Sequence, residues 1–305
     1  MAAPTFISSL RAVQWDPRYW LRVTLLTLGR ALTRLWGRDV MLYTGGVSFF
    51  SLLAIFPALA ILITLYSLFS DSAQAAREGE LLVRVIPEGA RGIVQSELIR
   101  LAHAPHVTMT TQGGIALLIG LYAAHRGFKA MLAGLSFIHD EDKPRGFVGF
   151  NVMALVVLVA TFALLAIVSA VFFGLRVMGS AFDLRPLRGV SWLYSEWTWS
   201  SAFLTLGMAL IYRWAMSSRP VNWRASLMGG FSAALLCLFA SWATAFYVEQ
   251  IAHLGATYGS IATVVIFLIW LSWNVNAIFF GGALATEVEI AIDAYAALKA
   301  SPTES

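Results

Sequence analysis

"GFVGFNVMALVVLVATFALLAIVSAVFFGL" fills residues 146–175 without a single Asp, Glu, Lys or Arg. A helix needs roughly 20 apolar residues to cross about 30 Å of hydrocarbon, and this run is longer than that. Further charge-free runs occupy Val40–Ser70, Ala225–Val248 and Gln250–Thr286, with shorter ones at Leu101–His125 and Trp197–Tyr212. They predict an all-α, polytopic membrane protein with six transmembrane helices, near 44–69, 109–135, 148–175, 196–214, 226–248 and 259–283.

Composition agrees. Hydrophobic residues make up 59% of the 305 and charged residues only 12%, with a mean hydropathy of +0.73. A soluble domain carries about 25% charged residues, so too little polar surface remains to coat a soluble globule of this size. The single Cys237 can form neither an intramolecular disulfide nor a zinc site by itself. No cleavable signal peptide is visible: the first forty residues lack an apolar core and carry six arginines.

With the N-terminus placed in the cytoplasm, fourteen of the 21 Lys and Arg residues fall inside and seven outside. That bias follows the positive-inside rule and predicts both termini in the cytoplasm. Tryptophans at 192, 197 and 199, and again at 214 and 223, fit interfacial aromatic belts at the two ends of the spans.

The chain reads as one membrane domain over 1–305. Residues 1–43 form a cytoplasmic amphipathic segment, 44–283 the six-helix bundle, 71–108 a small helical outer segment, and 284–305 a cytoplasmic tail. In the first, Arg30, Arg34 and Arg38 recur every four residues and share one helical face. Leu28, Leu32, Leu35 and Trp36 fall mostly on the other, which predicts a helix over 15–38 lying on the inner leaflet. Pro57 removes a backbone hydrogen bond within the first span and predicts a kink. Ser226, Gly230 and Ala234 recur at four-residue spacing and predict a close helix–helix seam. His103 and His106 have Pro105 between them and no third ligand, and "HDEDKPRG" at 139–146 reads as a solvated turn. Neither points to a metal, and no cofactor is implied.

Against this apolar background one stretch carries cations. "LLIGLYAAHRGFKAMLAGL", Leu117–Leu135, holds His125, Arg126 and Lys129 and no acid. Counted from a start near Gln112, Arg126 lies about 21 Å into its span. His125 and Lys129 stack one turn apart, and Arg126 points about 100° away. One reading is that long cations snorkel to the headgroups. The other begins with Asn274 and Asn276, at about the same depth in the sixth span, where amides need partners. Cations and amides lining one cavity would suit a phosphate or carboxylate headgroup. The patterns of phosphate-binding loops, zinc proteases and serine hydrolases are missing from the sequence.

Four blocks resemble the YihY/BrkB family of bacterial inner-membrane proteins, formerly labelled ribonuclease BN-like. They are "VSFFSLLAIFPALAIL" at Val47–Leu62, "AAHRGFKAMLAGLSFIHDEDKPRG" at Ala123–Gly146, "RPVNWRASLMGGFSAALL" at Arg219–Leu236, and "TYGSIATVVIFLIWLSWNVNAIFFGGALATEVE" at Thr257–Glu289. The resemblance implies six helices and an inner-membrane address. It also implies a link to serum resistance and to export of envelope lipids, the ribonuclease label being regarded as a misassignment. The expectation from residues and resemblance together is a non-catalytic transporter or flippase-like carrier of an anionic envelope lipid or other anionic amphiphile. Its partners would be membrane lipids, anionic ones foremost, with no nucleic acid; a homo-oligomer is compatible. The alternative is an envelope scaffold.

Overall fold

The structure is a computed structural model that describes residues 17–36, 40–67, 111–140, 145–182, 196–247 and 262–300. Within them the protein is all-helical. The elements are α1 (Pro17–Trp36), α2 (Val40–Ser67), α3 (Thr111–His139), α4 (Phe147–Phe182), α5 (Glu196–Trp214), α6 (Trp223–Phe246) and α7 (Ala262–Ala300). Helices α2 to α7 fall on the six stretches read as spans. Phe147–Val171, Trp223–Phe246 and Val264–Ala294 are each long and apolar enough to cross a membrane, and Val40–Ile55 is a shorter apolar segment. The outer segment 71–108, with His103 and His106, lies outside the described residues.

Local chemistry explains several helix ends. Pro17 opens α1, where its missing N–H would have had no partner anyway. Asn222 caps α6 by accepting from the backbone N–H of Arg224 at 2.9 Å. Arg145 caps α5 from across the bundle, donating to the carbonyls of Trp214 at 2.7 Å, Ala215 at 2.8 Å and Ser217. These are carbonyls for which the end of a helix offers no further N–H. α2 runs unbroken through Pro57, whose ring packs on Gly120 of α3. α7 continues through 284–300, the stretch read as a tail.

α7 is the centre of the bundle and packs against α6, α1, α2 and α3; α2 pairs with α3, and α5 with α6. The α6–α7 contact is the most extensive, and its backbones approach closely. A Cβ on Gly229 would lie 2.5 Å from the Gly281 carbonyl oxygen, and one on Gly281 would lie 2.7 Å from that of Gly229. On the neighbouring stripe of α6, Ser226, Gly230 and Ala234 are all buried. A Cβ on Gly230 would lie 2.5 Å from the Thr205 carbonyl oxygen of α5. Small residues on both stripes let backbones approach, which replaces the missing hydrophobic drive between helices in lipid. Tyr212 of α5 locks the junction by donating to the Ile278 carbonyl of α7 at 2.6 Å.

One helix face differs from the sequence expectation. On α1, Leu28, Leu32 and Trp36 point outward and Leu35 inward, while Arg34 turns into the bundle. Arg30 is exposed and Arg38 lies outside the described residues. The reason is electrostatic: Arg34 finds a carboxylate on α7, whereas leucines lose nothing by facing lipid.

Candidate functional site

His125, Arg126 and Lys129 sit at the middle of α3, and their side chains part in two directions. Lys129 Nζ donates to Asn151 Oδ1 of α4 at 2.7 Å. His125 Nε2 lies 3.4 Å from the Asn151 carbonyl oxygen. Asn151 Nδ2 donates to the Phe147 carbonyl at 2.7 Å, one turn back, which leaves its amide oxygen for the lysine. The Lys129 ammonium also lies 5.8 Å from the centre of the Phe147 ring. Arg126 points instead to α2, its guanidinium carbon 5.5 Å from the Phe50 ring centre, and remains exposed. Gly127 allows this approach, since a Cβ there would already touch Phe50 at 3.4 Å. None of the ion pairs among the described residues involves these three side chains.

Their level along the bundle follows from the contacts of α3. Ser136 Oγ donates to the Met216 carbonyl at 3.0 Å, so Ser136 is level with the end of α5. There Arg213 lies 4.7 Å from the Trp223 ring centre, and Trp214 meets Trp223 edge-on at 5.9 Å. Arg126 is ten residues before Ser136, about 15 Å further up the helix. That is more than an arginine side chain spans, so Arg126 does not reach this polar, tryptophan-rich level.

Above His125 a groove of about 470 Å³ opens between α3 and α4. Leu118, Leu121 and Tyr122 form one wall, Val152 and Leu155 the other, and His125 and Asn151 close one end. The site is thus an apolar trough closed by the His125 imidazole and the Asn151 amide, with Lys129 bonded to that amide and Arg126 turned toward α2.

The two asparagines of α7 are placed elsewhere. Asn276 Oδ1 accepts from Thr44 Oγ1 of α2 at 3.1 Å, and its Nδ2 donates to the Ser272 carbonyl at 2.9 Å. Asn274 Nδ2 donates to the Trp270 carbonyl at 2.8 Å, and its own carbonyl faces Cys237 Sγ of α6 at 3.8 Å. Thr44 is six residues, about 9 Å, along α2 from Phe50 and Arg126. The structure therefore brings His125 and Lys129 together on Asn151, sets Arg126 on the α2 side, and ties the amides into contacts of α7 with its neighbours.

Sequence reasoning missed Asn151, a lone amide in an otherwise apolar run. It also missed a second polar cluster at the far end of α3. Arg34 of α1 reaches Glu287 of α7 with Nε and Nη2, each 2.8 Å from Oε1. Its Nη1 donates to the Ile138 carbonyl at 2.9 Å and lies 3.5 Å from Asp140 Oδ2. Beside it, His139 Nδ1 lies 3.1 Å from Thr286 Oγ1, and Nε2 lies 3.8 Å from Glu289 Oε2. Residues 139 and 140 are thus engaged with the bundle where a solvated turn was expected.

An apolar helical bundle with several membrane-length helices among the described residues defines a polytopic membrane protein. The chain belongs to the family described as virulence factor BrkB, whose model matches residues 31–304. It is similar to a putative ribonuclease-like protein, YfkH, of Bacillus subtilis, at 24% identity over 246 residues, 78% of this chain and 86% of that protein. It is also similar to UPF0761 membrane proteins of Bordetella petrii, at 32% over 85 residues, and of Verminephrobacter eiseniae, at 37% over 68 residues. Those two matches cover 28% and 22% of this chain and 19% and 16% of the respective proteins. No solved structure matches.

Proposed function

We propose that this protein is a transporter or flippase-like carrier of an anionic amphiphile, an envelope lipid foremost, in the bacterial inner membrane with both termini cytoplasmic. The α3–α4 groove takes the hydrocarbon and His125, Arg126 and Lys129 take the anionic head. One observation carries this reading: an apolar trough ends at His125 and at Asn151, the amide that holds the Lys129 ammonium. A charge at the centre of a span costs about 2.5–3.5 kcal/mol on insertion scales. An anionic head beside it offsets that cost; a neutral one does not. Asn151 is a positioning residue that holds Lys129 against the groove.

The reading is non-catalytic. The ribonuclease-like name of the Bacillus relative points to another activity, which is not part of this reading. RNA hydrolysis by the purified protein would restore that possibility. A scaffold is the second reading, favoured by the glycine-tight contact of α6 with α7.

Reconstitution in vesicles separates these readings. Wild type should speed transbilayer movement of a fluorescent anionic amphiphile over empty vesicles and leave a zwitterionic analogue unaffected. An Arg126→Gln/Lys129→Gln variant should lose the acceleration. Wild-type vesicles no faster than empty ones would refute carriage and leave the scaffold.

A further inference from the structure

The cluster around Arg34 does not take part in the proposed carriage and has a geometry of its own. We infer that α1 is a releasable strap, which Arg34 latches to Glu287 inside the bundle and releases by passing to Asp140 at the rim.

Three observations point this way. First, the latch is an ion pair where an apolar contact would hold at least as well. The Arg34 and Glu287 side chains are only 15% and 9% exposed, and buried pairs of this kind are often no more stable than well-packed apolar residues of the same volume. Second, the acceptor for release is already in place. Nη1 lies 3.5 Å from Asp140 Oδ2 while Nε and Nη2 hold Glu287, and Asp140 is 56% exposed. The guanidinium, with donors on several sides, can swing outward without passing through an unpaired state. Glu289 does not compete, since it faces His139 and accepts from the Asn222 backbone N–H at 3.1 Å.

Third, Asp140 keeps its carboxylate at the expense of its backbone. It follows the last residue of α3 with φ 56°, and no other described residue apart from glycine has a positive φ. Glycine fits that position without strain. A carboxylate held there lies within reach of Arg34.

Beyond the latch, the strap joins the main apolar core through two of its described side chains. Its inner face rests on Ala31 and Leu35, and its outer face of Leu28, Leu32 and Trp36 is exposed. What it covers is the junction of the α3 end with α7.

The test is thiol accessibility in the full-length protein. A Leu35→Cys probe in a Cys237→Ala background sits under the closed strap, and a membrane-impermeant maleimide in permeabilised vesicles reads how often it opens. Glu287→Gln should raise the labelling rate at least tenfold. Asp140→Gly should lower it at least threefold, although glycine relieves the backbone. The apolar pair Arg34→Met/Glu287→Leu should label as slowly as wild type and no longer respond to Asp140→Gly. If Glu287→Gln fails to fold, the Asp140→Gly and apolar-pair arms decide. A folded Glu287→Gln protein that labels no faster, or an Asp140→Gly protein that labels as fast as wild type or faster, overturns the latch. The readout involves no amphiphile, so carriage and latch stand or fall separately.

Discussion

Replacing Arg126 and Lys129 together with glutamine removes two charges from the middle of α3 and leaves its packing in place. A glutamine amide in place of Lys129 can still donate to Asn151 Oδ1, as the lysine does at 2.7 Å. The contact of Arg126 with Phe50 is lost, worth about 0.5–1 kcal/mol at an exposed site. Against that stands relief of the insertion cost of two charges, about 2.5–3.5 kcal/mol each at a span centre. The variant should therefore be at least as thermally stable as wild type. Binding should move the other way. Two unit charges 4 Å apart attract by about 4 kcal/mol at an effective dielectric constant near 20. After desolvation, a hydrogen bond to a charged group nets about 1.5–3 kcal/mol. At about 1.4 kcal/mol per factor of ten, each cation is worth roughly ten- to a hundredfold in Kd.

The assay is titration of a fluorescent anionic amphiphile against protein in nanodiscs of zwitterionic lipid, beside a zwitterionic analogue and a thermal melt. A raised Tm or an unchanged one, with anionic binding weakened at least tenfold and the analogue unaffected, is the expected result. Binding within twofold of wild type, or equal loss for both amphiphiles, refutes the headgroup assignment. A lowered Tm refutes the premise that these charges are held against the interests of the fold.

Substitutions at four further positions have outcomes set by the packing. Arg145→Ala should destabilise the end of α5 by about 1.5–3 kcal/mol, since charged donors to its carbonyls are removed. Arg145→Lys should recover less than half, because an ammonium lacks the planar fork, and hydrogen exchange at 214–217 would read both. Gly281→Ala should cost about 1–3 kcal/mol in detergent unfolding, because its Cβ would meet Ala233 Cβ, the Gly229 carbonyl and the Tyr212 hydroxyl, each at 2.7 Å. Gly45→Ala, which meets nothing within 4 Å, should be neutral or stabilise by up to about 1 kcal/mol from helix propensity. Asn151→Leu should cost about 0.6 kcal/mol and no more than about 1.7, the range of interhelical hydrogen bonds in membranes; a larger loss would mean that Asn151 supports more than Lys129 and His125.

Helix positions were legible because a chain in hydrocarbon must satisfy its backbone internally, so each long charge-free run reads as a helix. Which face points inward was much less legible. Lipid is as apolar as leucine, so hydrophobicity no longer separates core from exterior, and Leu28, Leu32 and Trp36 face outward while Leu35 is buried. For the same reason the periodicity of Arg30, Arg34 and Arg38 predicts one basic surface stripe opposite the leucines. The partner that draws Arg34 inward lies 253 residues away in sequence, and no local pattern pairs them. The cations of α3 were visible because charge in an apolar run is conspicuous. Asn151 carries a fainter signal of the same kind, an amide where only apolar groups surround it. Depth alone grouped Asn274 and Asn276 with Arg126; the rotation of α7 about its axis, which sends Asn276 to Thr44 and the Asn274 carbonyl to Cys237, is set by tertiary packing.

α3 joins the two polar sites mechanically. Arg126 and Ile138 are twelve residues apart on one uninterrupted helix, about 18 Å. In an apolar setting a break in its hydrogen bonds would leave backbone groups unsatisfied, so the helix transmits tilt as a rod. Release of Arg34 frees the Ile138 end, and any tilt that follows moves the groove wall formed by Leu118, Leu121 and Tyr122. If the two sites share this element, their coupling is reciprocal: the factor by which one alters the other must be the same in both directions. The anionic amphiphile should shift the open fraction of the strap, read by labelling of Leu35→Cys, by the factor that separates its affinities for open and closed protein. Glu287→Gln approximates the open state and Arg34→Met/Glu287→Leu the closed one, so the ratio of their Kd values measures that factor independently. Agreement within twofold, at a factor clearly different from one, places groove and latch on one conformational equilibrium. Unequal factors, or a factor of one in either measurement, would mean that α3 bends between Arg126 and Ile138 or that the strap opens without moving it.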